Sequence, residues 1–130
     1  KLEAYGYMDD TVDMVLYKLE KEGLLDDEAF ACEWAAARAR HQIGRGRILR
    51  ELVHKGVSRD VAERAVDALD REEGDAAALA LAQKLLRRYA VETDAKKAMA
   101  KLMAAMARRG YDFESARRAV EQALEEAQRE

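Results

Sequence analysis

An all-α fold, built as an elongated, curved tandem array of three-helix repeats, is what this sequence predicts, on three observations. No proline occurs in 130 residues, so nothing interrupts a helix by removing its backbone donor. Alanine, leucine, glutamate, lysine and arginine dominate, a composition that favours helix and leaves little for strands. The third observation is a repeat. Gly6, Gly56 and Gly110 are followed by "GYMDDTVDMVLYKL", "GVSRDVAERAVDAL" and "GYDFESARRAVEQA". Aligned without gaps, these put Tyr7, Val57 and Tyr111 together, then Val12, Ala62 and Ala116, then Leu16, Val66 and Val120, at spacings of 50 and 54 residues. Such spacing is the mark of stacked supersecondary units, each burying only a thin core of its own.

Glycine punctuates the array. Gly6, Gly23, Gly56, Gly74 and Gly110 each follow a helix-like stretch, where a residue free to take positive φ closes a helix. Three units result: residues 1–23, the remnant of a first repeat; residues 24–73, a second repeat; and residues 74–130, a third. The first repeat holds the end of its second helix and a third helix over about Asp9 to Glu22, so roughly 25 residues of that unit are expected to be missing. In the second repeat Asp26 caps a helix to about His41, another runs from about Arg45 to Lys55, and Ser58 caps a third to about Glu73. The last repeat reads as helices over about Asp75 to Tyr89, Asp94 to Arg109 and Asp112 to Gln128. Ala95, Ala98, Met99, Leu102, Met103 and Met106 keep helical spacing and mark the buried stripe of its middle helix.

Charge is unevenly placed. The formal net charge is −3, yet Arg38 to Lys55 carries six basic residues, Arg38, Arg40, Arg45, Arg47, Arg50 and Lys55, against one acid, Glu51. On a helix starting near Arg45, the residues Ile48, Leu49, Leu52 and Val53 form an apolar side and Arg47, Arg50 and His54 another. The third repeat repeats the feature. Lys97, Lys101 and Arg108 share one face of its second helix, with Lys96 and Arg109 near, and Lys84 to Arg118 holds ten basic and four acidic residues. Two basic helices in successive repeats would line one continuous surface.

Catalytic readings find little support. "GRGR", at Gly44 to Arg47, matches neither phosphate-loop pattern and follows no strand; its glycines read as a chain break and a first helical turn. Asp9 with Asp10, and Asp26 with Asp27, sit where helices begin and read as caps rather than metal ligands. Cys32, His41 and His54 match no zinc spacing. Phe30 and Trp34, one turn apart, read as core anchors. No nucleophile stands beside a base, so neither an enzyme nor a cofactor or metal site is expected. One cysteine cannot form an internal disulfide, which fits a reducing cytosol, and no apolar run approaches the roughly 18 residues that span a bilayer. A soluble, cytoplasmic protein is expected.

The run "LLDDEAFACEWAAARARHQIGRGRILRELVHKGVSRDVAERAV" resembles the central motif of the RecX family of bacterial recombination regulators. Asp26, Asp27, Phe30, Trp34, Arg38, Gly44, Arg47, Ile48, Glu51, Leu52, Lys55, Gly56 and Val57 carry the likeness, which is close over Leu24 to Leu69 and extends more weakly along the flanking repeats. Ala35 to Ala37 depart from it, where bulkier residues are expected. The resemblance implies a regulator of the RecA nucleoprotein filament. Such proteins lie in the filament groove and inhibit its recombinase and coprotease activities, modulating recombination, repair and the SOS response. Some also bind DNA. On this reading the partner-binding surface comprises Arg38, Arg40, Arg45, Arg47, Arg50, Lys55, Lys97, Lys101, Arg108 and Arg109 of a monomer. The alternative is a helical-repeat module that binds single- or double-stranded DNA directly through that basic face.

Overall fold

The computed structural model describes residues 27–89 and 94–129 together with Met14. The first-repeat helix over residues 9–22, its glycines Gly6 and Gly23, and the caps assigned to Asp9, Asp10 and Asp26 lie outside the described residues. Among the described residues there are six helices and no strand: α1 (Asp27–Arg40), α2 (Arg45–His54), α3 (Arg59–Asp67), α4 (Arg71–Arg88), α5 (Ala95–Arg108) and α6 (Phe113–Arg129).

Short polar side chains start most of these helices. Ser58 Oγ accepts from the Val61 amide at 3.3 Å, Asp94 Oδ1 from the Lys96 amide at 2.9 Å, and Asp112 Oδ1 from the Ser115 amide at 2.8 Å, each satisfying an amide that no helical carbonyl can reach. Asp70 does the same for α4, accepting from the Glu73 amide at 2.9 Å. That cap corrects two boundaries. The helix expected to reach Glu73 ends at Asp67, and the next begins at Arg71 rather than near Asp75. Gly74, expected to close a helix, is therefore inside α4, where it is neither strained nor crowded: a Cβ there would meet nothing within 4 Å.

Gly56 and Gly110 do close helices, with φ of +97° and +102°. Behind each, the next amide reaches back five residues, Val57 to the Leu52 carbonyl and Tyr111 to that of Met106. This is a left-handed glycine stop, and it occupies the same place in both repeats.

Two cores follow one another along the chain. Phe30, Trp34, Ile43, Ile48, Leu52, Val57 and Val66 form the first, between α1, α2 and α3. Leu81, Leu85, Leu102, Met106 and Val120 form the second, between α4, α5 and α6. Within the expected stripe of α5, Leu102 and Met106 are buried, Ala98, Met99 and Met103 half-buried, and Ala95 exposed. Ala35 and Ala37 are buried small residues on α1, which packs against α2 and α3.

The first core contains a charge. Glu51, 2% exposed, receives Arg38 Nε on Oε1 at 3.0 Å and Arg38 Nη2 on Oε2 at 2.8 Å. Trp34 Nε1 donates to Oε1 at 2.9 Å, and Arg47 Nε lies 3.3 Å from Oε2. Four donors on one carboxylate satisfy an ion that could not otherwise sit out of water. The lone acid of the basic stretch is thus the hub joining α1 to α2.

Candidate partner interface at the junction of the repeats

Gly44 stands at the cap position of α2 and supplies no side-chain acceptor. The start of α2 instead meets the end of α5. The Gly44 amide donates to the Arg109 carbonyl at 2.7 Å and the Gly46 amide to the Gly110 carbonyl at 3.1 Å. Amides left over at one helix start are paired with carbonyls left over at another helix end, and the positive end of one helix dipole faces the negative end of the other. The approach is too close for side chains. A Cβ at Gly44 would lie 2.4 Å from Gly110 C, and one at Gly110 would lie 2.4 Å from Arg47 Cβ. "GRG", read from the sequence as a chain break and a first turn, is a joint between repeats.

Two arginines tie the same joint from opposite sides. Arg109 donates through Nε to the Gln42 carbonyl at 3.0 Å and through Nη2 to the His41 carbonyl at 2.6 Å, just past the end of α1. Arg47 reaches back, with Nη1 at 3.4 Å from the Arg108 carbonyl, while its Nε faces Glu51. Each repeat thereby satisfies carbonyls at a helix end of the other.

These contacts redistribute the ten cations expected on the binding surface. Arg38 is 1% exposed and lies in the core, because its guanidinium is what neutralises Glu51. Arg47, expected to be exposed, is only 18% so, and with Arg109 it serves the joint. Lys55 is half-buried, its Nζ 5.1 Å from the centre of the Trp34 ring. Arg45, 38% exposed, pairs with Asp67 at 3.1 Å. Arg40, Arg50, Lys97, Lys101 and Arg108 are exposed.

A cleft of about 630 Å³ opens beside the joint. Leu49, Val66, Ala107 and Tyr111 give it an apolar floor; Arg45 and Arg50 stand against Glu63, Asp67 and Asp112 on its rim. A second, of about 620 Å³, lies between α1, the start of α4 and the start of α6, and is lined by Arg40, Arg71 and Arg118 together with Asp70, Glu73 and Asp75. Tyr111 borders both. Its burial pushes the phenol up to about 12, against a weaker opposing pull from Arg109. Periodicity alone could not have found either cleft, since each is lined by residues from both repeats.

Further cations flank the connection between the first two helices of the third repeat, on the last turns of α4 and the first of α5. Lys84, Arg87, Arg88, Lys96 and Lys97 are all exposed and, among the described residues, form no ion pair. Of these, Lys97 alone was expected on the binding surface. Among the described residues no group of three or more His, Cys, Asp or Glu could hold a metal ion, and no helix is long and apolar enough to cross a membrane.

Residues 26–66 match the RecX second three-helix domain, and residues 72–120 match the RecX third three-helix domain. The regulatory protein RecX of Corynebacterium efficiens is 33% identical over 97% of this chain and 64% of its own length. That of Mycobacterium ulcerans is 37% identical over 85% of this chain and 65% of its own, so the chain spans a little under two thirds of these relatives. The crystal structure of RecX from Lactobacillus salivarius superposes with a TM-score of 0.71 at 19% identity, covering 94% of this chain and 79% of that one, which shows a shared fold. Two consecutive domain matches, one on the helices α1 to α3 and the other on α4 to α6, make the chain a member of the RecX family of regulatory proteins.

Proposed function

We propose that this chain binds the RecA nucleoprotein filament and inhibits its recombinase and coprotease activities, as a cytoplasmic monomer without chemistry or cofactor of its own. Membership of the RecX family supports a regulatory role. The observation that carries the choice of a protein partner is the joint cleft, whose two arginines face three carboxylates above an apolar floor. A phosphodiester backbone would meet repulsion there, whereas a protein surface can offer charges of both signs and an apolar side chain.

Arg45→Glu with Arg50→Glu tests this. Both residues line the cleft outside the Glu51 hub, and an acid at position 45 suits the first turn of α2. Stability should change by no more than about 1 kcal/mol, while capture of the chain by RecA assembled on single-stranded DNA with nucleotide should collapse. Normal folding with inhibition at wild-type concentrations would remove this surface from the interface.

Direct nucleic-acid binding is the second reading, favoured by the five exposed cations that flank the connection between α4 and α5. Lys96 and Lys97 stand in the first turn of α5, where the helix dipole opposes positive charge. For this reading Lys96→Glu with Lys97→Glu should weaken binding to bare DNA and flatten its log-log salt dependence by about 1.4 to 1.8. Each double variant is the control for the other.

A further inference from the structure

Gly44 gives up the side-chain cap that Ser58, Asp70, Asp94 and Asp112 provide elsewhere, and its amide is satisfied by the neighbouring repeat instead. Gly110 combines a positive φ with contact distances that exclude any Cβ. Gly56 occupies the same place in the second repeat with nearly the same φ, yet a Cβ there would meet nothing within 4 Å. Conformation accounts for Gly56. It does not account for Gly44, and for Gly110 it is only part of the reason.

We infer that Gly44, Gly110 and Arg109 form a clasp that fixes the angle between the second and third repeats before a partner arrives, and that they act as positioning residues for partner binding. Several features make the joint stiff. Two of its hydrogen bonds, donated by the Gly44 and Gly46 amides, are backbone to backbone, so no rotamer change loosens them. Arg109 holds two carbonyls with one planar group, and Arg47 is itself held by the buried Glu51. Both clefts are lined from the two repeats, so the angle sets their shape. A surface held in its binding shape spends less free energy on ordering when it binds.

The functional half of this inference rests on the filament reading above; the geometric half does not. Cys32 is exposed on α1, and Glu125→Cys supplies a second exposed site on α6. Spin labels on this pair should give one narrow distance distribution. Gly44→Ala should shift and broaden it, with the helical circular dichroism retained; Arg109→Gln, which adds no atom to the joint, should broaden it also. Gly56→Ala should leave it in place. Filament inhibition should weaken about tenfold or more in Gly44→Ala and Arg109→Gln, although neither changes an exposed cation in the clefts.

An unchanged narrow distribution in both variants overturns the clasp. If Gly44→Ala fails to fold, Arg109→Gln alone decides. A broadened distribution with undiminished inhibition overturns the positioning role, whereas a reference pair that never binds filaments, yet responds to the variants as stated, removes the filament reading and leaves the clasp standing.

Discussion

The second and third repeats share a helix order and a glycine stop, yet they are held together differently. Shifting by 54 residues puts Ile48 on Leu102, Leu52 on Met106 and Gly56 on Gly110, all in equivalent places. The same shift puts Glu51 on Ala105 and Val57 on Tyr111, whereas the caps that open the two middle helices, Gly44 and Asp94, lie 50 residues apart and differ in kind. Where the second repeat buries an ion with four donors, the third buries a methyl group. Conserving the apolar spacing keeps the fold, and the differing positions set what each repeat does with its neighbours.

The largest expected effect breaks the comparison at its most unequal position. Glu51→Ala removes the carboxylate that Arg38, Trp34 and Arg47 share and takes from the buried Arg38 guanidinium its bidentate partner. Loss of one partner from a buried pair costs about 3 to 5 kcal/mol, which urea denaturation would register as a lowered midpoint. Ala105→Gly in the third repeat should cost about 1.5 to 2 kcal/mol, through helix propensity and a lost methyl. Equal losses would mean that the hub contributes nothing particular to the second repeat.

Next in size are the caps. Asp94→Ala should destabilise by roughly 0.5 to 2 kcal/mol, because the Lys96 and Lys97 amides lose their acceptor. Gly44→Asp should give no matching gain. A new acceptor there would have to occupy the space of the Gly110 backbone. If Gly44→Asp stabilised the chain, the two helix starts would be interchangeable and the joint would be of no consequence.

The last effect, silent near neutral pH and confined to alkaline pH, is at Tyr111, whose counterpart Val57 does not titrate. A phenol raised to about 12 in the fold and near its ordinary 10 when unfolded is protonated longer in the native state. Its contribution is fully present below pH 10 and is lost as pH climbs from about 10 to about 12. Denaturation midpoints measured across that range should fall less steeply in Tyr111→Phe than in the parent. Identical slopes would show that the phenol titrates alike in both states.

Much of the fold was legible in the sequence because its causes are local. Helical spacing, absent proline, the caps Ser58 and Asp94 and the left-handed stops at Gly56 and Gly110 all act within a few residues of themselves. Family resemblance was legible too, through a motif dense in the residues that build the Glu51 hub. Gly74 was misread, since a glycine in a run of helix formers looks the same whether it ends the helix or merely weakens it. Asp70 decided the matter four residues earlier, by capping a helix that then ran through Gly74.

The binding surface was the least legible part. Ten cations could be assigned from charge and spacing, but a helical position says only which side a residue leaves by, not what waits there. Arg38 found Glu51 inside the core, Arg109 found the carbonyls of His41 and Gln42, and Arg47 was shared between core and joint. By itself the sequence determined the helices, their order and the repeat, since backbone dihedrals, capping and apolar periodicity are short-range properties. Only the tertiary structure decided which arginines remain in solvent and why Gly44 must be glycine, because those depend on what another element brings: Glu51 of α2 to Arg38, and to Gly44 the backbone of Gly110, 2.4 Å from where a Cβ would stand.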